Sequence, residues 1–100
     1  MMSFDIAKTE LFEKWFSAQA VKIQMQIDGR LLRITENGYF GHIRKLDTRL
    51  SELKFNNGNR IYYTVKDNKL VVLLAGGNKN SQAKDIKLAK KLAREVYEQS

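Results

Sequence analysis

The sequence predicts an α+β domain: two helices, an antiparallel sheet and a terminal helix. Three changes in the spacing of apolar residues predict it. Over residues 19–36, Ala20, Ile23, Ile27, Leu31 and Ile34 recur at intervals of three and four, as on a helix with one apolar face. From about residue 42 to 76 the interval falls to two, as in strands. From about 82 to 97 the helical spacing returns in Ile86, Ala89, Ala93 and Val96.

Each element has its own signal. Residues 3–8, SFDIAK, form a short first strand. A first helix follows in TELFEKWFSA, with Thr9 as N-cap and Leu11, Phe12, Trp15 and Phe16 along one face. On the second helix Lys22, Gln26, Arg30 and Arg33 fall opposite the apolar stripe. Gly29 weakens that helix by about 1 kcal/mol relative to alanine. ENGYFGH, with two glycines, ends it. HIRKL, LSELKF, RIYYTVK and LVVLLA read as strands, and the last is apolar on both faces, as a central strand should be. Asn80 or Ser81 caps the terminal helix.

Two hairpins set the expected register. A loop at Asn56-Asn57-Gly58, with Gly58 left-handed, places Lys54 opposite Arg60, Leu53 opposite Ile61 and Glu52 opposite Tyr62. An Asp67-Asn68 turn pairs Val65 with Leu70, Tyr63 with Val72 and Ile61 with Leu74. One face is then the core. The other carries Lys54, Arg60, Tyr62, Thr64, Leu73 and Ala75.

Composition narrows the function. The chain has 100 residues, which suits one domain over 1–100. It contains no cysteine, so disulfides and Cys-based zinc sites are excluded. No apolar run is long enough to span a membrane, and the N-terminus lacks the pattern of a signal peptide, so a cytoplasmic protein is expected. Eighteen Lys and Arg against eleven Asp and Glu give a net charge of +7, which favours an anionic partner.

Lys54 opposite Arg60 is the most informative pair. Like charges facing each other across a sheet repel, and a phosphate between them turns repulsion into charge-assisted contacts. Tyr62 beside them offers a stacking face and a phenol. Gly76-Gly77 ends the apolar strand beside Arg60, where glycine lets a backbone approach a ligand closely. Lys79 follows in the loop, just before a helix start that favours anions. The spacing is not that of a P-loop. One histidine, His42, and scattered carboxylates make no recognisable metal set, so neither metal nor cofactor is expected. A metal-free RNA-cleaving site fits these residues. Lys45, Lys54, Arg60 and Lys79 supply cations for the phosphoryl oxygens, and Tyr62, His42 or a lysine of depressed pKa moves protons. Gly76, Gly77, Asn78 and Lys84 are expected to bind the substrate.

The segment LSELKFNNGNRIYYTVKDNKLVVLLAGGNKNSQAKDIKLAKKLA closely resembles the C-terminal half of the addiction-module killer proteins, the HigB-like toxins of the RelE/ParE superfamily. The matching blocks are Leu50-Ser51-Glu52-Leu53-Lys54, Arg60-Ile61-Tyr62-Tyr63, Gly76-Gly77-Asn78-Lys79-Asn80-Ser81-Gln82 and Asp85-Ile86 with Ala89. Upstream, FEKWF and GYFGHIRKL match as well, so the resemblance spans about residues 9–94. It implies a RelE-like fold, a twisted antiparallel sheet of about four to five strands with helices packed on it. It also implies the toxin of a type II toxin–antitoxin pair that cleaves mRNA on the ribosome. The implied partner is a helix-turn-helix antitoxin, with operator DNA bound only through the complex. Lys45, Arg60 and Lys79 match basic positions of the family. Lys54 stands where arginine is usual and Asn78 where aspartate is usual, and the C-terminal tyrosine of some relatives has no clear counterpart in Tyr97. The alternatives are a ParE-like inhibitor of DNA gyrase and a non-catalytic binding member.

Overall fold

A computed structural model describes residues 3–98. Among them the order is β1 (Asp5–Lys8), α1 (Glu10–Ser17), α2 (Val21–Asn37), β2 (Ile43–Asp47), β3 (Leu50–Lys54), β4 (Asn59–Lys66), β5 (Leu70–Asn78) and α3 (Gln82–Glu98). The five strands form one sheet in the order β1-β5-β4-β3-β2. Strands β2 to β5 are antiparallel neighbours. β1 runs parallel to β5, so the sheet is mixed rather than wholly antiparallel. β5, lying between β1 and β4, is internal, as its two apolar faces require.

The helices start and stop where the chain supplies local chemistry. The Thr9 hydroxyl accepts the Phe12 N–H at 3.0 Å, capping α1, and donates to the Leu74 carbonyl at 2.7 Å, tying the helix start to β5. Gly38 ends α2 in a left-handed conformation, φ 67°, with its N–H bonded to the Ile34 carbonyl. At the β3–β4 loop Gly58 has φ 91°, and Lys54 faces Arg60, Leu53 faces Ile61 and Glu52 faces Tyr62, the expected register.

The second hairpin departs from expectation. Asp67 and Asn68 form the turn, both at φ 55°. Beyond it β5 is displaced by one residue: Val65 pairs with Val71 and Tyr63 with Leu73. Leu74 is then the extra residue of a bulge, after which Tyr62 pairs with Ala75. A slip of one residue exchanges the faces of a strand. Val71 and Leu73 therefore turn toward α1 and α2, and Val72 and Leu74 turn the other way. Nothing in LVVLLA opposes this, because every side chain in it is apolar.

Both sheet faces are covered. On one, Phe12, Ile27, Leu31 and Ile34 of α1 and α2 pack on Leu53, Ile61, Tyr63, Val71 and Leu73. On the other, Ala89 and Ala93 of α3 pack on Leu50, Tyr62, Val72, Leu74 and Ala75. The face expected to be open is thus a second core over much of its area, and Tyr62 and Thr64 lie buried in it. Alanines in the α3 stripe let that helix sit close to the sheet.

The paired glycines also have an internal reason. A Cβ at Gly76 would lie 2.2 Å from the Trp15 ring, and one at Gly77 would lie 1.9 Å from an Asp85 carboxylate oxygen. They admit side chains of this same chain from opposite faces. Gly76→Ala is expected to cost about 1–3 kcal/mol, since the Trp15 ring must move against a packed core. A lowered urea midpoint at unchanged m-value checks this.

Candidate RNA-binding site

The cations of interest sit where the sheet emerges from under the start of α3. Glu52 lies at their centre, a carboxylate with 0% exposure. Its Oε1 accepts from Arg44 Nε at 3.2 Å and from Arg60 at 3.5 Å. Gln82, the first residue of α3, donates to both Glu52 oxygens at 3.4 Å. The arrangement follows from register. Arg44 pairs with Glu52, which pairs with Tyr62; alternation places Arg44, Glu52, Tyr62, Lys54 and Arg60 on one face across three strands. The Arg44 side chain is half exposed and that of Arg60 only 14% exposed. Arg60 Nε is buried with no hydrogen-bond partner among the described residues.

Not every residue expected at the site reaches it. Lys54 and Arg60 are brought together, and Gly77 pairs with Arg60, so the loop bearing Lys79 leaves the sheet beside them. Lys79 and Lys84 are exposed. Lys45 pairs with Ser51, one residue out of phase with Arg44, and so points to the other face. There it lines a separate hollow with Arg49, Ser51 and Tyr97. Arg44 occupies the position expected of Lys45. A period of two cannot say which of two adjacent basic residues faces which way until the partner strand is placed.

Tyr62 turns inward. It has 0% exposure, and its hydroxyl finds no hydrogen-bond partner among the described residues. Burial, reinforced by the Glu52 and Asp85 carboxylates, pushes its phenol up to about 12. It therefore offers no stacking face or proton to a ligand in this arrangement. Asn78 is engaged in its own loop, its side-chain oxygen accepting the N–H groups of Asn80 at 2.8 Å and Ser81 at 3.3 Å. Tyr97 donates to the Val65 carbonyl at 2.7 Å. His42 is exposed just before β2, with its carbonyl accepting the Lys54 N–H at 2.9 Å. Among the described residues no group of three His, Asp or Glu side chains could hold a metal ion. No helix among them is long and apolar enough to cross a membrane.

Sequence reasoning missed Glu52 as the organiser and Arg30 as a strap. Arg30 of α2 donates to the Phe40 carbonyl at 3.0 Å and also to the carbonyls of His42 and Lys54. Its guanidinium lies 4.7 Å from the centre of the Phe55 ring. It fixes the segment before β2 against the end of β3, and with it the positions of His42 and Lys54. Helical spacing assigned Arg30 only to a polar face, because its partners are backbone carbonyls distant in sequence.

Solved structures of low sequence identity share this architecture. A double arginine-to-alanine mutant of the E. coli toxin RelE in the free state superposes with a TM-score of 0.69 at 16% identity, over 95% of this chain and 98% of that one. A chain of the intact E. coli RelBE toxin–antitoxin complex gives 0.63 at 20% identity, over 76% and 96%. The fold is therefore that of the RelE toxins. Residues 14–98 match the family described as Phage derived protein Gp49-like (DUF891), and the chain belongs to that family. An uncharacterised protein of Haemophilus influenzae is 36% identical over 98 residues, covering 95% of this chain and 98% of its own.

Two outcomes test this electrostatic anatomy. Glu52→Ala is expected to destabilise the fold by about 3–5 kcal/mol, since it strands the Arg60 guanidinium; chemical denaturation measures it. Tyr62→Phe is expected to leave stability at pH 7 unchanged or slightly higher, because it removes an unsatisfied buried hydroxyl. Because the folded pKa of this phenol lies above its unfolded value of about 10, the unfolded chain ionises first and stability falls as pH rises from 10 toward 12. Between those limits the wild type should lose on the order of 2 kcal/mol more than Tyr62→Phe.

Proposed function

We propose that this chain is the toxin of a type II toxin–antitoxin pair, and that it cleaves mRNA on the translating ribosome. The observation that carries this reading is the gathering of Arg44, Lys54 and Arg60 from three adjacent strands on one face, at the edge of α3 and next to the Lys79 loop. Membership of the Gp49-like family and the RelE fold support it.

Such a site suits attack of a ribose 2′-OH on the neighbouring phosphorus. The 2′-oxygen forms the new bond, the bond to the 5′-oxygen breaks, and a cyclic phosphate remains. Arg44, Lys54 and Arg60 would stabilise charge growing on the phosphoryl oxygens. Glu52 would hold the two arginines in place rather than touch the substrate. One proton must leave the 2′-OH and one must reach the 5′-oxygen. With Tyr62 buried and Lys45 on the other face, His42, Lys54 and Lys79 are the groups from the expected set left to carry them. Lys79 and Lys84 would receive neighbouring phosphates, with Gly76, Gly77 and Asn78 shaping the adjoining backbone.

The partners follow from the same reading. They are mRNA on the ribosome and a helix-turn-helix antitoxin, whose complex binds operator DNA. The E. coli RelBE complex is a structural precedent for an antitoxin partner. Translation places the work in the cytoplasm.

Induced expression with 5′-end mapping of transcripts should reveal growth arrest and translation-dependent cuts. Lys54→Ala, which breaks no buried ion pair, should lower cleavage about 10²-fold or more while the melting temperature stays within a few degrees. Arrest without transcript cuts, together with loss of supercoiling activity, would replace this reading with gyrase inhibition.

A further inference from the structure

Nothing among the described residues requires glycine at position 29. It sits in the middle of α2, where glycine weakens a helix relative to alanine. It is not among the residues of positive φ, and a Cβ built on it meets no atom within 4 Å. The other glycines each have a positive φ or a neighbour that excludes a Cβ. What Gly29 does is open the floor of a groove of about 420 Å³ between α2 and the chain entering β2, lined also by Met25, Arg33, Tyr39, His42 and Phe55.

The outer face of α2 around this groove is divided lengthwise. Helical spacing puts Val21, Met25 and Leu32 along one side of Gly29, and these apolar side chains are 70%, 68% and 55% exposed. On the other side lie Lys22, Gln26 and Arg33, and neither cation is in an ion pair among the described residues. Glu36 stands at the C-terminal end of the face and Asp28 at its far edge. An apolar ridge beside a cationic one, with a gap between them, complements an amphipathic helix that carries carboxylates along one border of its apolar stripe. A nucleic acid would pair with the cations and leave the ridge bare.

We infer that this face receives an acidic amphipathic helix of the antitoxin, with one apolar side chain seated over Gly29. The inference rests on the toxin–antitoxin reading and adds the docking surface to it. Substitution of Gly29 separates binding from folding, because alanine and leucine are better helix formers than glycine. The probe is the full-length protein encoded by the reading frame adjoining this chain's gene, titrated calorimetrically into the full chain. Gly29→Ala should leave the melting temperature unchanged or a few degrees higher and weaken binding a few-fold. Gly29→Leu and Leu32→Glu should each weaken it at least tenfold, and charge reversal in Arg33→Glu should do likewise. Wild-type affinity in Gly29→Leu and Leu32→Glu would place the antitoxin elsewhere and overturn the inference while the toxin reading stands. No binding to the wild type would remove both. Should Gly29→Leu impair binding of a short RNA and spare the adjoining protein, the groove belongs to RNA and the inference falls.

Discussion

The shared carboxylate of Glu52 is the constraint on which the arrangement of Arg44, Arg60 and the start of α3 depends. A charge with 0% exposure needs partners, and among the described residues it has three: Arg44 from β2, Arg60 from β4 and Gln82 from α3. Three elements thus converge on one side chain of a fourth, β3. The net contribution of such a buried pair to stability is small, because desolvation offsets most of the attraction. Its effect is on geometry. Two arginines that would repel are held within reach of one oxygen, and the start of α3 is fixed beside them.

That geometry sets where an anion can approach. α3 covers the middle of the face, where Tyr62 and Thr64 are buried, and leaves the end near Lys54 and Arg60 at its rim. The same helix explains the paired glycines. Gly76 yields to Trp15 on one side and Gly77 to Asp85 on the other, so the end of β5 is clamped between layers. Asn78 then turns the chain with its own side chain, and Lys79 is carried out to solvent. The motif joins strand to helix and presents its lysine as a consequence.

The two sides of the molecule divide their labour. The α3 side gathers the arginines around a carboxylate. The α2 side uses Arg30 to bind three carbonyls and hold the segment before β2. That strap places His42 and Lys54 at a common boundary between the two sides.

Element order, helix boundaries and the first hairpin register were legible in the chain itself. Each rests on contacts within a few residues: the Thr9 cap, the α2 stripe, the left-handed Gly58, the Asp67-Asn68 turn. Lys54 opposite Arg60 was legible for the same reason, being set by a short loop. The tertiary structure alone decided the face each residue of β5 presents, since an unbroken apolar run has no alternation to fix its phase. It alone decided that Arg44 rather than Lys45 shares the face of Lys54 and Arg60, that Tyr62 is covered, and that Glu52 sits between Arg44 and Arg60. Those outcomes depend on α3 closing over the second face, a contact between segments about thirty residues apart that local spacing does not encode.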